Sequence, residues 1–287
     1  MKVLNALSAE FLKFRRHRAT WFLLWIFPIG IALIFAIGIL VELGRGSTPD
    51  EAVSAAGWAG KGASFWNAPG NGLVRYLIAA FTAVVFAGEY GWNTWKLIVP
   101  HRSRTQLIAA KYAAVLLLLY AAFIAAALLM NGMQWLEDVL TGDPLPDGIT
   151  FGALAAAHWH GFVATLPPVL LTVAFTSLAA IMTGSTTAAI IIGIIVTTLE
   201  ELFRSFGPVL AYTLPGGVET LYQLLPGYHV ANLVSWLRQG EALTTQVPFP
   251  SGNVMGWGWE ASLGVMAIWV IGLAALTFWR FRRQDLN

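Results

Sequence analysis

From Thr20 to Val41 the chain has no charged side chain. A helix needs roughly 20 apolar residues to cross about 30 Å of hydrocarbon, so this run reads as a membrane span. Pro28 inside it predicts a kink. Comparable runs follow at about Leu73 to Gly88, Thr105 to Met130, Gly161 to Met182, Thr187 to Phe203 and Trp259 to Trp279. Lipid offers backbone groups no hydrogen bonds, so repeated runs of this length specify an all-α polytopic membrane protein with six transmembrane helices. Composition agrees: 57% of residues are hydrophobic and 11% charged, against about 25% charged in soluble domains. The 287 residues are read as a single transmembrane domain, 1–287. The chain has no cysteine, which removes disulfides and thiolate metal sites from consideration.

The spans differ in how they connect. Met1 to Ala19 repeats Val3, Leu7, Phe11 and Phe14 on one face among basic residues, the pattern of an interfacial elbow helix over 1–19; the plainer alternative is a solvated basic tail. A signal peptide would also start basic, but the first apolar run exceeds a usual signal core and lacks an A-x-A cleavage pattern. Leu43 to Gly72 is rich in Gly, Ser and Pro and reads as a loop. Its Gly60-Lys61-Gly62 is no phosphate loop, because Ala55 and Gly62 break the G-x-x-x-x-G-K-[ST] motif. Asn131 to Trp159 reads as a second loop, and Pro167-Pro168 is expected to interrupt the backbone bonding of the fourth span. Thr183 to Thr186 is so short a turn that the fourth and fifth spans form an antiparallel hairpin. The stretch 204–258 holds two apolar pieces too short to span, Val209 to Leu214 and Tyr228 to Leu237, and reads as an outer loop with interfacial or re-entrant helices.

With the N-terminus inside, Lys2, Lys13, Arg15, Arg16, Arg18, Lys96, Arg102, Arg104, Lys111, Arg280, Arg282 and Arg283 lie on the cytoplasmic side, twelve of the 17 Lys and Arg. The positive-inside rule therefore predicts both termini in the cytoplasm of a multi-pass protein. These cations sit beside spans, so membrane lipids are the expected partner and nucleic acid is not. Tryptophans near both predicted interfaces form an aromatic belt. No charge falls in mid-span on this reading. Glu89, Lys111, Glu200 and Glu201 are placed near enough to span ends to reach water. The hydroxyls Thr82, Thr197 and Thr198 either pack helices through their own backbone or line a weakly polar path. His158 and His160 fall on different helix faces without a third ligand, so no metal site is expected. Ser185 and His229 lie in loops at opposite ends, and no catalytic pair is expected.

The elbow segment E-F-L-K-F-R-R-H-R, the segment E-Y-G-W-N-T-W-K-L-I-V-P-H-R-S-R-T-Q-L-I-A-A-K from Glu89 to Lys111, and the ending F-R-R-Q-D-L occur in that order. In motif order and span layout the chain resembles the permease subunits of bacterial ABC exporters of the type-two kind, including the bacitracin and lantibiotic resistance branch. The resemblance implies a bacterial plasma-membrane permease, homodimeric or heterodimeric, exporting an amphipathic compound, antimicrobial peptide, drug or lipid. It implies no cofactor on this chain, with ATP and Mg on separate ABC ATPase subunits, and no enzymatic activity of the chain itself. A coupling loop is implied over 90–104, with Glu89, Tyr90, Trp92, Thr94, Trp95, Lys96, Pro100, Arg102, Ser103 and Arg104 as the ATPase-coupling residues. Trp92, Trp95, Leu97 and Ile98 are expected to give apolar contact, and Glu89 to orient its span by pairing with a cation. Thr82, Thr197 and Thr198 are the implied translocation-path residues. Other classes open to the residues are lipid anchoring alone for the Glu89 to Lys111 segment and, for the whole chain, an ion-coupled transporter or an intramembrane enzyme.

Overall fold

The computed structural model describes residues 2–45, 53–91, 95, 99, 102–214, 217–245 and 247–285. Trp92, Thr94, Lys96, Leu97, Ile98 and Pro100 lie outside the described residues. Among the described residues the α-helices with described bounds are, in order, α1 (Lys2–Arg16), α2 (Arg18–Arg45), α3 (Ala55–Ala63), α4 (Gly72–Gly91), α5 (Arg104–Thr141), α6 (Phe151–Thr183), α7 (Thr186–Thr213), α8 (Val218–Leu224), α9 (Pro226–Gln239) and α10 (Trp259–Arg283), with a 3₁₀ segment at Ser64–Gly70. Among the described residues there is no strand. Helices α2, α4, α5, α6, α7 and α10 are long and apolar enough to cross a membrane. The chain is an all-α polytopic membrane protein.

α4 is the spine of the bundle. Ile78, Ala79, Phe81, Thr82, Ala83, Val85 and Phe86 are fully buried along it, and it packs on α6 and α7. Its close approach to α7 is made at Gly193, where an added Cβ would stand 2.9 Å from both the Ala79 Cβ and the Thr176 Oγ1. Small residues at such crossings let helix backbones approach where lipid supplies no hydrophobic drive. α2 packs chiefly on α5, with Phe27 edge-on to Phe123 at 5.0 Å.

Several boundaries differ from the sequence reading. The stretch Leu43 to Gly72 contains α3 and the 3₁₀ turn, not only a loop. Its rings are drawn inward by polar partners: Trp58 Nε1 donates to Asp138 at 2.7 Å, and Trp66 Nε1 to His158 at 2.9 Å. The third span does not stop at Met130. α5 continues to Thr141, because Gln134 and Asp138 on its extension hold α3. The fifth span likewise runs past Phe203 to Thr213, where Tyr222 of α8 packs directly over Gly207. α6 is helical through Pro167 and Pro168. The turn after it closes with Gly184 at φ 61° and Ser185 as the N-cap of α7, its hydroxyl accepting from the Ala188 amide. Within 204–258, α9 packs beside α6 and α10, with Val230 and Leu233 against Leu171, Ala174, Met266 and Leu273.

Candidate functional site: a buried charge cluster at the elbow

The site begins with α1. Ala6, Glu10 and Phe14 recur on one buried face, so this helix turns its inner face onto α5. Phe14 meets Phe81 of α4 with ring centroids 6.4 Å apart. This docking brings Glu10 and Lys13 over the last turns of α4 and the first turns of α5. Two carboxylates and two ammonium groups from three helices then share one place. Lys111 Nζ lies 2.6 Å from Glu89 Oε1 and 3.6 Å from Glu10 Oε2, and it donates to the Val85 carbonyl at 2.6 Å. Lys13 pairs with the same Glu89 oxygen and with Glu10 at 2.8 Å. Glu89 is 3% exposed and Lys111 0%.

Neither Glu89 nor Lys111 reaches water within this chain, which corrects the expectation from sequence. Position along the helix suggested an exposed end, but α1 covers that end. Burial opposes the charge on Lys13, yet Glu89 and then Glu10 outweigh it and hold its ammonium above the ordinary lysine value. Formal charge in the cluster sums to zero, which is the condition for keeping ions in a dry interior.

Trp95 closes the cluster. It is 2% exposed, 4.6 Å from the Phe281 ring and 5.6 Å from Tyr90, and the Lys111 ammonium stands 5.2 Å from its centroid. Expected as an apolar anchor for a partner, Trp95 spends its surface inside the chain. Two aromatic neighbours and a cation outcompete solvent for an amphipathic ring. Arg104 is also turned inward: its guanidinium donates to the carbonyls of Phe281 and Arg282, each at 3.0 Å, and of Gln284. Those carbonyls end α10 without helical partners of their own, and a cation there both satisfies them and complements the helix dipole. Tyr90 adds a second tie, donating to Gln284 at 2.6 Å. Ser103 is the N-cap of α5, accepting from the Gln106 amide, and Arg102 is half-buried beside it. Glu89, Tyr90, Trp95, Ser103 and Arg104 thus knit α1, α4, α5 and α10 into one end of the bundle.

The hydroxyl residues do not converge in the same way. Thr82 is fully buried and donates to the Ile78 carbonyl, Thr197 is buried on α7, and Thr198 bonds the Tyr76 hydroxyl at 2.7 Å. In the single chain these contacts are helix packing. His158 is held between Trp66 and Asn131.

A second buried ion pair, missed from sequence, lies at the far end of α4. Arg75 grips both oxygens of Glu200 at 2.9 and 2.6 Å and donates through Nε to Thr172 at 2.9 Å. Both were read as loop-side or end-of-span charges. The signal available was their spacing from Glu89: Arg75 stands on the same helix, roughly 21 Å away at 1.5 Å per residue.

No match was found among curated proteins or among solved structures. Residues 6–200, which include most of α1, the charge cluster, the Arg75–Glu200 pair, all of α6 and the first half of α7, match the model of the family described as ABC-2 family transporter protein, and the chain belongs to that family.

Proposed function

We propose that this permease is the membrane half of an ATP-driven exporter, working as a dimer with separate ABC ATPase subunits that bind ATP and Mg, and moving an amphipathic compound, peptide, drug or lipid. What carries the reading is the family membership together with the way one end of the bundle is tied. A push delivered near Glu89 to Arg104 reaches α4 and α5 directly, α1 through Lys13 and Glu10, and α10 through Arg104 and Tyr90. Rigid ties of this kind pass displacement between helices, whereas separate surface residues would not. The residues that touch the ATPase are then drawn from the outer surface of the 90–104 segment, while Glu89, Trp95 and Arg104 act behind it as positioning residues. Both termini and this segment face the cytoplasm of a bacterial cell, and 204–258, with α9 as the re-entrant helix, faces out. Thr82 on α4 and Thr197 and Thr198 on α7 are the path residues, to be completed by a second copy.

Buried charges also mark ion-coupled carriers. Here they cancel within the chain, and the two mechanisms separate by energy source. The test is recovery of the chain from native membranes with its partners, followed by transport in vesicles. A co-purifying ATPase, with cargo movement that needs ATP and survives collapse of ion gradients, is the expected result. Transport by the chain alone, or driven by a gradient, overturns it. Cysteines placed at Ser103 and Ser251 test the orientation, since only the latter is expected to react from outside intact cells.

A further inference from the structure

At the end of the bundle remote from α1, a cleft of about 290 Å³ opens between α7, α8 and the loop residues Leu243, Thr244, Thr245 and Val247. It is small, but near the lower end of the size of ligand pockets. Arg204, Ser205, Thr244 and Thr245 bring the polar groups, and Pro208 and Val247 are among the apolar walls. No carboxylate is among the lining residues.

The donors in this cleft are unspent. Among the described residues the Arg204 guanidinium has no hydrogen bond or ion pair; only its backbone carbonyl is engaged, by the Tyr222 hydroxyl at 2.9 Å. Ser205 and Thr244 have no side-chain bond among the described residues, and the Thr245 oxygen accepts from the Met255 amide, leaving its O–H to donate. Tyr228 is already committed to the Leu243 carbonyl. The contrast lies one turn earlier on α7, where Arg75 and Glu200 cancel and the Glu201 carboxylate sits against Gly72, the first residue of α4. Arg204 also lines that neighbouring cleft, where Arg75 and Arg238 stand with Glu200 and Glu201, whereas the lining of this one offers the fork and three hydroxyls with no carboxylate among them.

We propose that this cleft binds an oxyanion, a phosphate group, with Arg204 as the charged fork, Ser205, Thr244 and Thr245 as hydroxyl donors, and, where the phosphate belongs to a lipid, the apolar walls taking the first carbons beyond it. Arginine suits the role because its planar donors match phosphate oxygens in pairs, and charge-assisted bonds are roughly twice as strong as neutral ones. The source of the phosphate is either a lipid headgroup or free phosphate in solution. The inference does not depend on which cargo is exported or on what drives export.

The test uses the full chain in nanodiscs made of phosphatidylcholine with or without phosphatidylglycerol. Lipid retained after detergent exchange is read by native mass spectrometry, and inorganic phosphate is titrated as competitor. Wild-type protein is expected to retain phosphatidylglycerol over phosphatidylcholine by roughly tenfold, the factor that one lost charge-assisted bond removes in Arg204→Gln. Arg204→Lys keeps the charge without the fork and falls between the two. Among the described residues the Arg204 side chain makes no bond, so these variants are expected to fold; Thr244→Val and Thr245→Val, each weakening retention several-fold, give an independent reading. Displacement by inorganic phosphate supports the site and assigns it to free phosphate, and retention that phosphate does not touch supports a headgroup. Equal retention of both lipids, with no phosphate binding and no change in Arg204→Gln, overturns the proposal.

Discussion

The two ends of α4 each bury an ion pair, and they do it differently. At one end a single carboxylate, Glu89, serves two lysines from two other helices, with Glu10 as a second acceptor. At the other, Glu200 serves one arginine, whose three donor positions are all filled by it and Thr172. Lysine is a point charge on a flexible stem, while the guanidinium is a fixed fork. At the α1 end a point charge lets one carboxylate hold two helices at once, and at the far end the fork holds one geometry.

Glu89→Gln gives the largest expected effect. It removes the shared acceptor and leaves Lys111 buried, a loss of about 3–5 kcal/mol where a buried pair loses one partner. Thermal unfolding in detergent measures it, and hydrogen exchange should show α1 released first. If α1 stays protected, the cluster is not what docks the elbow.

Arg75→Lys is the next in size. The charge survives, but a lysine cannot hold both oxygens and Thr172 together, so about 1.5–3 kcal/mol is lost, the range for a hydrogen bond to a charged group. Loss of stability no greater than that from Lys111→Arg would erase the distinction drawn between fork and point charge.

Glu10→Gln has a smaller effect, about 0.5–1 kcal/mol, because Lys13 is partly in solvent and keeps Glu89. An effect as large as that of Glu89→Gln would make Glu10, not Glu89, the centre of the cluster.

Acid and alkali separate the two ends with the smallest shifts. His229, on α9, is buried with Nε2 bonded to the Gln223 carbonyl at 2.7 Å and Nδ1 to Ser262 at 3.0 Å, and burial lowers its pKa below the ordinary 6.5. The unfolded chain then takes up a proton first, so the far end is at full stability above pH 6.5 and loses it as pH falls through the folded value. Lys13 is raised above 10.5, so its contribution is present below that pH and is lost as pH rises through the folded value. Exchange rates of α9 in acid and of α1 in alkali read the two separately.

Six spans were legible because each is a run of apolar residues of membrane length, and that signal is local. The ends of those helices were not. α5 and α7 continue into polar sequence because Trp58, 80 residues earlier, meets Asp138, and Tyr222 of the following helix meets Gly207. In the Glu89 to Lys111 segment, Trp95 and Arg104 were expected to face a partner, and the structure turns both onto the chain's own helices. A tryptophan beside cations in a turn has the same local pattern whether it faces a partner or its own bundle.

The sequence by itself determined the class of the protein: an all-helical membrane bundle, since a lipid solvent forces long apolar runs to satisfy their own backbone. It also determined which residues carry charge near the span ends. Only the tertiary structure decided that Glu10, Lys13, Glu89 and Lys111 form one buried neutral cluster, and that Arg75 closes on Glu200. Burial of a charge depends on which other helix covers it, and no local pattern records that. Opposite charges as much as 125 residues apart become partners when packing removes water from between them, and each then fixes the position of the other.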